Sequence, residues 1–265
     1  MNSFAPYDKS AASNGPRHSM IQRRQFLTMA AACAAGPAFS GVPAQGLPVS
    51  DVLELFTSQG CSACPPADRL FQTLSREPGI LALSLPVTIW DHLGWKDTLA
   101  QTVFSERQKN YCGTRGDRQI YTPQAIVNGV THALGSDPRA IDAARRDSRA
   151  QAGVMTVTPE LTQTDGRWSV RLPASALRSA AVVLVSFQRS RVVEIGRGEN
   201  NGRKITYGNV VRSITTVGQY DGTDLRLVLD AAVQASPADG FAILLQEGGD
   251  RHPGMICGAV ESPRL

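Results

Sequence analysis

The sequence predicts an α/β fold whose C-terminal half is β-rich, and three observations carry that expectation. Up to about residue 150, short apolar runs alternate with helical stretches. Beyond it come closely spaced strands separated by Asp-Gly, Glu-Asn-Asn-Gly and Pro-Ala-Asp-Gly breaks, the pattern of a small antiparallel sandwich. A Cys-x-x-Cys pair, Cys61 and Cys64, falls where a strand gives way to a helix. The expected organisation is a leader over 1–46, an α/β domain over 47–152 and a β-rich, sandwich-like domain over 153–265.

The leader is read from Arg23-Arg24-Gln25-Phe26-Leu27, a twin-arginine pattern followed by an uncharged, Ala-rich run to Phe39. Small residues allow a cut after Ser40 or Ala44. No other stretch reaches the ~20 apolar residues of a membrane span. The mature chain is therefore expected to be periplasmic or secreted, with no membrane span after signal cleavage. The leader's Lys9, Arg17, Arg23 and Arg24 against Asp8 hold +3 of the chain's +4, so +1 is left for the mature part. That balance gives no electrostatic footprint for nucleic acid.

The elements follow in order. Val52–Thr57 is apolar and strand-like, and Ser58-Gln59-Gly60 breaks it. Pro65 and Pro66 fit a first helical turn, where missing N–H groups cost nothing, and Ala67 to Leu74 continues with Leu70, Phe71 and Leu74 on one face. Ile80–Ile89 reads as a strand, Thr98–Tyr111 as a helix, Gln124–Val127 as a short strand and 138–152 as a charged helix. The second half offers seven strand-like runs, beginning at Val154, Arg167, Ala181, Val192, Val210, Leu225 and Phe241.

The cysteines carry the chemistry. A thiol at a helix N-terminus meets unpaired N–H groups and the positive end of the helix dipole, and both favour the thiolate that attacks disulfides. The alternatives are a permanent disulfide and a zinc half-site. Zinc would need a second Cys/His pair at short spacing, and none of His92, His132 or His252 lies in one. Export also permits disulfides. Of the five cysteines, Cys33 lies in the leader, which leaves Cys61–Cys64 and a candidate second bridge, Cys112–Cys257.

Cys61-Ser-Ala-Cys64 together with Thr122-Pro123 resembles the thioredoxin-like fold. Longer strings resemble one family of secreted bacterial proteins, the domain of unknown function 1223 family: Glu54 through Cys64 to Asp68, Trp90-Asp91-His92-Leu93-Gly94-Trp95-Lys96-Asp97, Arg107-Gln108 and Tyr121-Thr122-Pro123-Gln124. The resemblance runs from about Val52 to Asn128 and resumes at 198–202 and 207–212. It implies a thioredoxin-like domain and export, with no reaction assigned to the family. It also implies a cis-proline, Pro123, opposite the cysteines to hold a partner chain. Glu54 resembles the buried acid that precedes such cysteines and is expected to take the Cys64 proton; a surface glutamate on an edge strand, or a partner for Lys96 or Arg107, are its other readings. Thr122, Trp90 and Gln59 are the expected substrate contacts, with Trp95 in the core. Where the family usually has His-Val-Asp-Tyr-Trp-Asp, this chain has Pro86-Val-Thr-Ile-Trp90-Asp91, so no role passes to that histidine and acid.

The leading expectation is a thiol–disulfide oxidoreductase acting on protein thiols or disulfides in the periplasm, through Cys61, Cys64, Pro123 and Glu54, without cofactor or metal. The competitors are a binding module stapled by Cys61–Cys64 and a copper-handling protein whose soft Cys61 and Cys64 sulfurs bind Cu(I).

Overall fold

The computed structural model describes residues 44–177, 179–229, 238–249 and 252–264. The twin-arginine pattern, the Ala-rich run and Cys33 lie outside the described residues. Ala44, Gln45 and Gly46 do not belong to a detached leader: they add to a strand edge, with Gln45 bridging Thr162 and the Gly46 N–H on the Leu161 carbonyl.

The fold is mixed α/β, dominated by one large curled sheet. In chain order the elements are β1 (Leu47–Pro48), β2 (Asp51–Thr57), α1 (Pro65–Leu74), β3 (Ile80–Pro86), α2 (Thr102–Arg115), β4 (Gln124–Val127), β5 (Thr131–Leu134) and α3 (Pro138–Arg149). The all-β part follows with β6 (Glu160–Thr164), β7 (Arg167–Leu172), β8 (Ala180–Glu194), β9 (Lys204–Tyr220), β10 (Leu225–Leu229), β11 (Gly240–Gln246) and β12 (Ile256–Glu261). Among the described residues nine strands join in the order β1-β12-β11-β8-β9-β3-β2-β4-β5, and β10-β7-β6 form a separate three-stranded sheet.

Strand alternation decides which layer each side chain enters. In β2, Val52 and Phe56 point to the side covered by α2, where they meet Phe104, Tyr111 and residues of β3, β8, β11 and β12. Leu53 and Leu55 point to the opposite side and meet Phe71, Leu74, Ile141 and Ala144 of α1 and α3. Over the other half of that second face the three-stranded sheet packs Trp168, Val170 and Leu172 on Val182, Leu184, Ile243 and Leu245.

The expected boundary at 152/153 does not divide the molecule. The described residues form one compact unit, because β3 runs parallel to β9 at Ser84 and Val210 and the α2-side core draws on both halves. Ser84 Oγ donates to the Gly208 carbonyl at 2.8 Å across this joint. Gly208 also admits α1, since a Cβ there would lie 3.0 Å from the Gln72 Cα. The seven-strand sandwich is corrected too. The runs at Ala181 and Val192 are one 15-residue strand, β8, paired along the 17-residue β9 with register shifts at Val182/Val183 and Ser186/Phe187. These bulges let a long hairpin bend without breaking.

Candidate functional site

The cysteine loop is assembled from backbone turns. β2 ends at Thr57, the Gly60 N–H donates to Ser58 Oγ, the Cys61 N–H to the Ser58 carbonyl and the Cys64 N–H to the Cys61 carbonyl. Cys64 is the N-cap of α1 and the prolines occupy its first turn, as their missing N–H groups allow. Cys61 and Cys64 are disulfide-bonded. Cys61 is 4% exposed and Cys64 fully buried, so Cys61 is the sulfur nearer solvent.

Facing them is the segment before β4. The Thr122–Pro123 peptide is cis, and Cys61 Sγ lies 3.8 Å from the Thr122 carbonyl oxygen. Trp90 Nε1 donates to Thr122 Oγ1 at 2.7 Å, so the half-buried indole stands beside this wall. Gly60 makes room for it: a Cβ there would come 2.9 Å from the Trp90 Cβ. α2 fixes the wall from behind, with Gln108 Nε2 donating to the Tyr121 carbonyl at 2.9 Å and to Gln124 Oε1 at 2.8 Å.

Two expected residues sit elsewhere. Glu54 shares the α2 face with Val52 and Phe56, whereas α1 covers Leu53 and Leu55, so its carboxylate turns away from the helix that carries Cys64. It accepts from Arg107 Nε at 2.8 Å and Nη2 at 3.2 Å, and from the Tyr111 hydroxyl. The ion-pair reading with Arg107 holds, and Glu54 is no acceptor for the Cys64 proton. Gln59 is buried and its amide is spent inside the protein: Oε1 accepts from Trp95 Nε1 at 2.8 Å and from the Thr98 N–H at 3.2 Å, and Nε2 donates to Thr98 Oγ1 at 3.2 Å. It pins the loop instead of contacting a substrate.

Cys112 and Cys257 are both free and buried, which overturns the second bridge. Ile256 points to the α2 side and Cys257, one residue on, to the face under the three-stranded sheet. Cys112 belongs to α2, so the sheet separates the two thiols. Burial pushes the Cys257 thiol up to about 12, and it stays protonated. His132 is engaged by the Tyr121 hydroxyl at 3.0 Å and Asp117 at 3.3 Å. Among the described residues no group of three or more His, Cys, Asp or Glu side chains could hold a metal ion.

Other residues complete the site. Asn200, at the tip of the β8–β9 hairpin, donates through Nδ2 to the Gln59 carbonyl at 2.9 Å and to the Cys61 carbonyl at 2.8 Å. Asp97 accepts from the Gln59 N–H through Oδ2 and from the Leu99 and Ala100 N–H groups through Oδ1. It caps a turn, not a helix, and burial pushes its carboxyl above the usual range despite these donors. Asp68, one helical turn after Cys64, is buried with Oδ1 accepting from Thr57 Oγ1 at 2.7 Å. Both Asp68 and Asn200 lie inside strings that carried the family resemblance, which is the signal that could have found them.

Replacing Asn200 with alanine removes the side-chain donor from two buried carbonyls, of which the Cys61 carbonyl keeps the Cys64 N–H, and is expected to cost about 2 kcal/mol. It should also speed reduction of the Cys61–Cys64 disulfide by small thiols. Denaturant unfolding and thiol trapping check both, and an unchanged reduction rate would show that the clasp does not guard the pair.

Residues 52–246 match the family described as "Protein of unknown function (DUF1223)". No curated protein matches the chain. The crystal structure of a structural-genomics protein from Agrobacterium tumefaciens is similar at 33% identity, with a TM-score of 0.73 over 82% of this chain and 96% of that one. HBP35 of Porphyromonas gingivalis is more remote, at 10% identity and a TM-score of 0.46 over 83% of this chain and 76% of its own.

Proposed function

This chain belongs to the DUF1223 family, and we propose that it is an exported thiol–disulfide oxidoreductase built on a thioredoxin-like arrangement of β2, α1, β3, β4, β5 and α3. The topology supports the fold reading: β2 is parallel to β3 and antiparallel to β4, β4 pairs with β5, and α1 and α3 share one face. One observation carries the chemistry. A disulfide at the start of α1 has its more accessible sulfur, Cys61 Sγ, 3.8 Å from the Thr122 carbonyl, in the segment that leads into β4. A partner peptide lying along Tyr121–Pro123 and beside Trp90 would present its own sulfur to Cys61.

Protein thiols or disulfides are the substrate class. In the oxidising direction a substrate thiolate attacks Cys61 Sγ, Cys64 leaves, and a second substrate thiolate then displaces Cys61. The substrate gains a disulfide, and the pair takes up two electrons and becomes a dithiol. The twin-arginine pattern at Arg23-Arg24 supports delivery of the folded chain to the periplasm, where such a disulfide persists.

Cys61→Ser is expected to reduce insulin-disulfide reduction and refolding of a scrambled disulfide protein to background. Wild-type protein inert in both assays, although its pair can be reduced and reoxidised, would sink the reading. A second reading, a non-catalytic module stapled by the disulfide, is favoured by the near-complete burial of both sulfurs. It predicts a reduction potential below about −300 mV.

A further inference from the structure

The buried Cys64 sulfur needs a proton whenever it leaves the disulfide and must lose one whenever it returns. Solvent does not reach it, for Cys64 is fully buried. Asp68 lies four residues on, its backbone N–H on the Cys64 carbonyl at 3.1 Å. Cys64 has helical φ and ψ, so the two side chains share one helix face with Cβ atoms about 5–6 Å apart. One carboxyl oxygen of Asp68 is held by Thr57, while Oδ2 is buried and meets no hydrogen-bond partner among the described residues. A buried carboxyl oxygen without a partner costs free energy to retain. Nothing in the packing of α1 requires an acid here, since Ala67, Phe71 and Leu74 make its apolar contacts.

We propose that Asp68 is the proton donor and acceptor for Cys64, protonating its sulfur as the Cys61–Cys64 bond breaks and taking the proton back as the bond re-forms. The assignment takes its purpose from the exchange chemistry above, but the proton step belongs to the pair itself. With a dithiol as reductant, the attacking thiolate bonds to Cys61 Sγ and the Cys61–Cys64 bond breaks. Its electron pair goes to Cys64 Sγ, and the Asp68 proton follows. The second thiolate of the dithiol then displaces Cys61, leaving a reduced pair and an oxidised reductant.

The groups around Asp68 keep it protonated for this task. Burial dominates and raises its carboxyl to about 8; the Thr57 hydroxyl lowers it, Asp97 on the segment before α2 raises it and Arg69 on α1 lowers it. Tyr207 of β9 also faces both acids, and its hydroxyl has no partner among the described residues.

The test uses the oxidised full chain and dithiothreitol, with thiol trapping at several pH values and each rate corrected for the reagent's thiolate fraction. The wild-type corrected rate is expected to hold below pH 8 and fall through it. Asp68→Asn should remove that fall and slow the reaction at pH 7 on the order of a hundredfold. Thr57→Val, which removes the donor that lowers the carboxyl, should move the fall to higher pH while keeping the acid, so the proposal can be judged even if the asparagine variant folds poorly. A flat wild-type profile, or a Thr57→Val profile that does not move, would overturn the assignment. Insulin reduction separates the two readings: a chain inert toward insulin that keeps this pH profile loses the oxidoreductase function and retains the Asp68 role.

Discussion

Arg107→Ala is expected to destabilise the folded chain by about 3–5 kcal/mol, the cost of leaving a buried carboxylate without its cation. Glu54 is 1% exposed and Arg107 5%. The guanidinium also donates to the Tyr111 hydroxyl and to Gln246 Oε1, each at 2.9 Å. One side chain of α2 therefore satisfies acceptors on β2, on its own helix and on β11. Glu54→Leu with Arg107→Met removes both charges, and Tyr111 still accepts from Gln246 Nε2 at 2.7 Å, so the double variant should recover most of the loss. Guanidinium unfolding of the wild type and both variants measures this. A single-variant loss below about 1 kcal/mol would mean that the pair is solvated in solution.

Raising the pH from 4 to 8 is expected to lower stability by several kcal/mol. Burial raises the Asp68 carboxyl from 3.8 to about 8, so the unfolded chain releases this proton near 3.8 while the folded chain keeps it. Between those values the folded state holds the extra proton. Stability is then full below 3.8 and declines by up to ~1.4 kcal/mol per pH unit across the window. Asp97 is shifted the same way by burial. Asp117, held down by Arg115, and Asp221, held down by Thr223, act below pH 4. His132, lowered by burial, works in the opposite sense below 6.5 but is common to both proteins compared. Unfolding midpoints at pH 5 to 8 should fall for the wild type and much less for Asp68→Asn. Equal slopes in the two proteins would show Asp68 ionised in the folded state.

Much of the site was legible because its signals are local. A strand, a break, two cysteines three apart and two prolines specify the loop and the start of α1, and the string around Thr122-Pro123 marks the facing wall. Strand alternation also places Glu54 on the face opposite Leu53 and Leu55. It does not say which face the cysteine helix will cover, and that choice sent Glu54 to Arg107. Parity pairs Cys112 with Cys257 on paper, but the sheet between them is a tertiary fact. Asn200 reaches the Cys61 carbonyl across 139 residues, a contact without local pattern. The false domain boundary has the same origin. β3 and β9 meet in register at Ser84 and Val210, and nothing near either residue announces the other.

The hairpin that brings Asn200 to the cysteine loop has a consequence for anyone who would shorten this protein. A fragment ending near residue 150 would bare the β3 edge that β9 covers, inviting strand-to-strand aggregation, and would remove the Asn200 amide from the Gln59 and Cys61 carbonyls. The β-rich half thus holds the cysteine loop in place as well as closing the sheet, and the first half is not a piece that can be trimmed free of it.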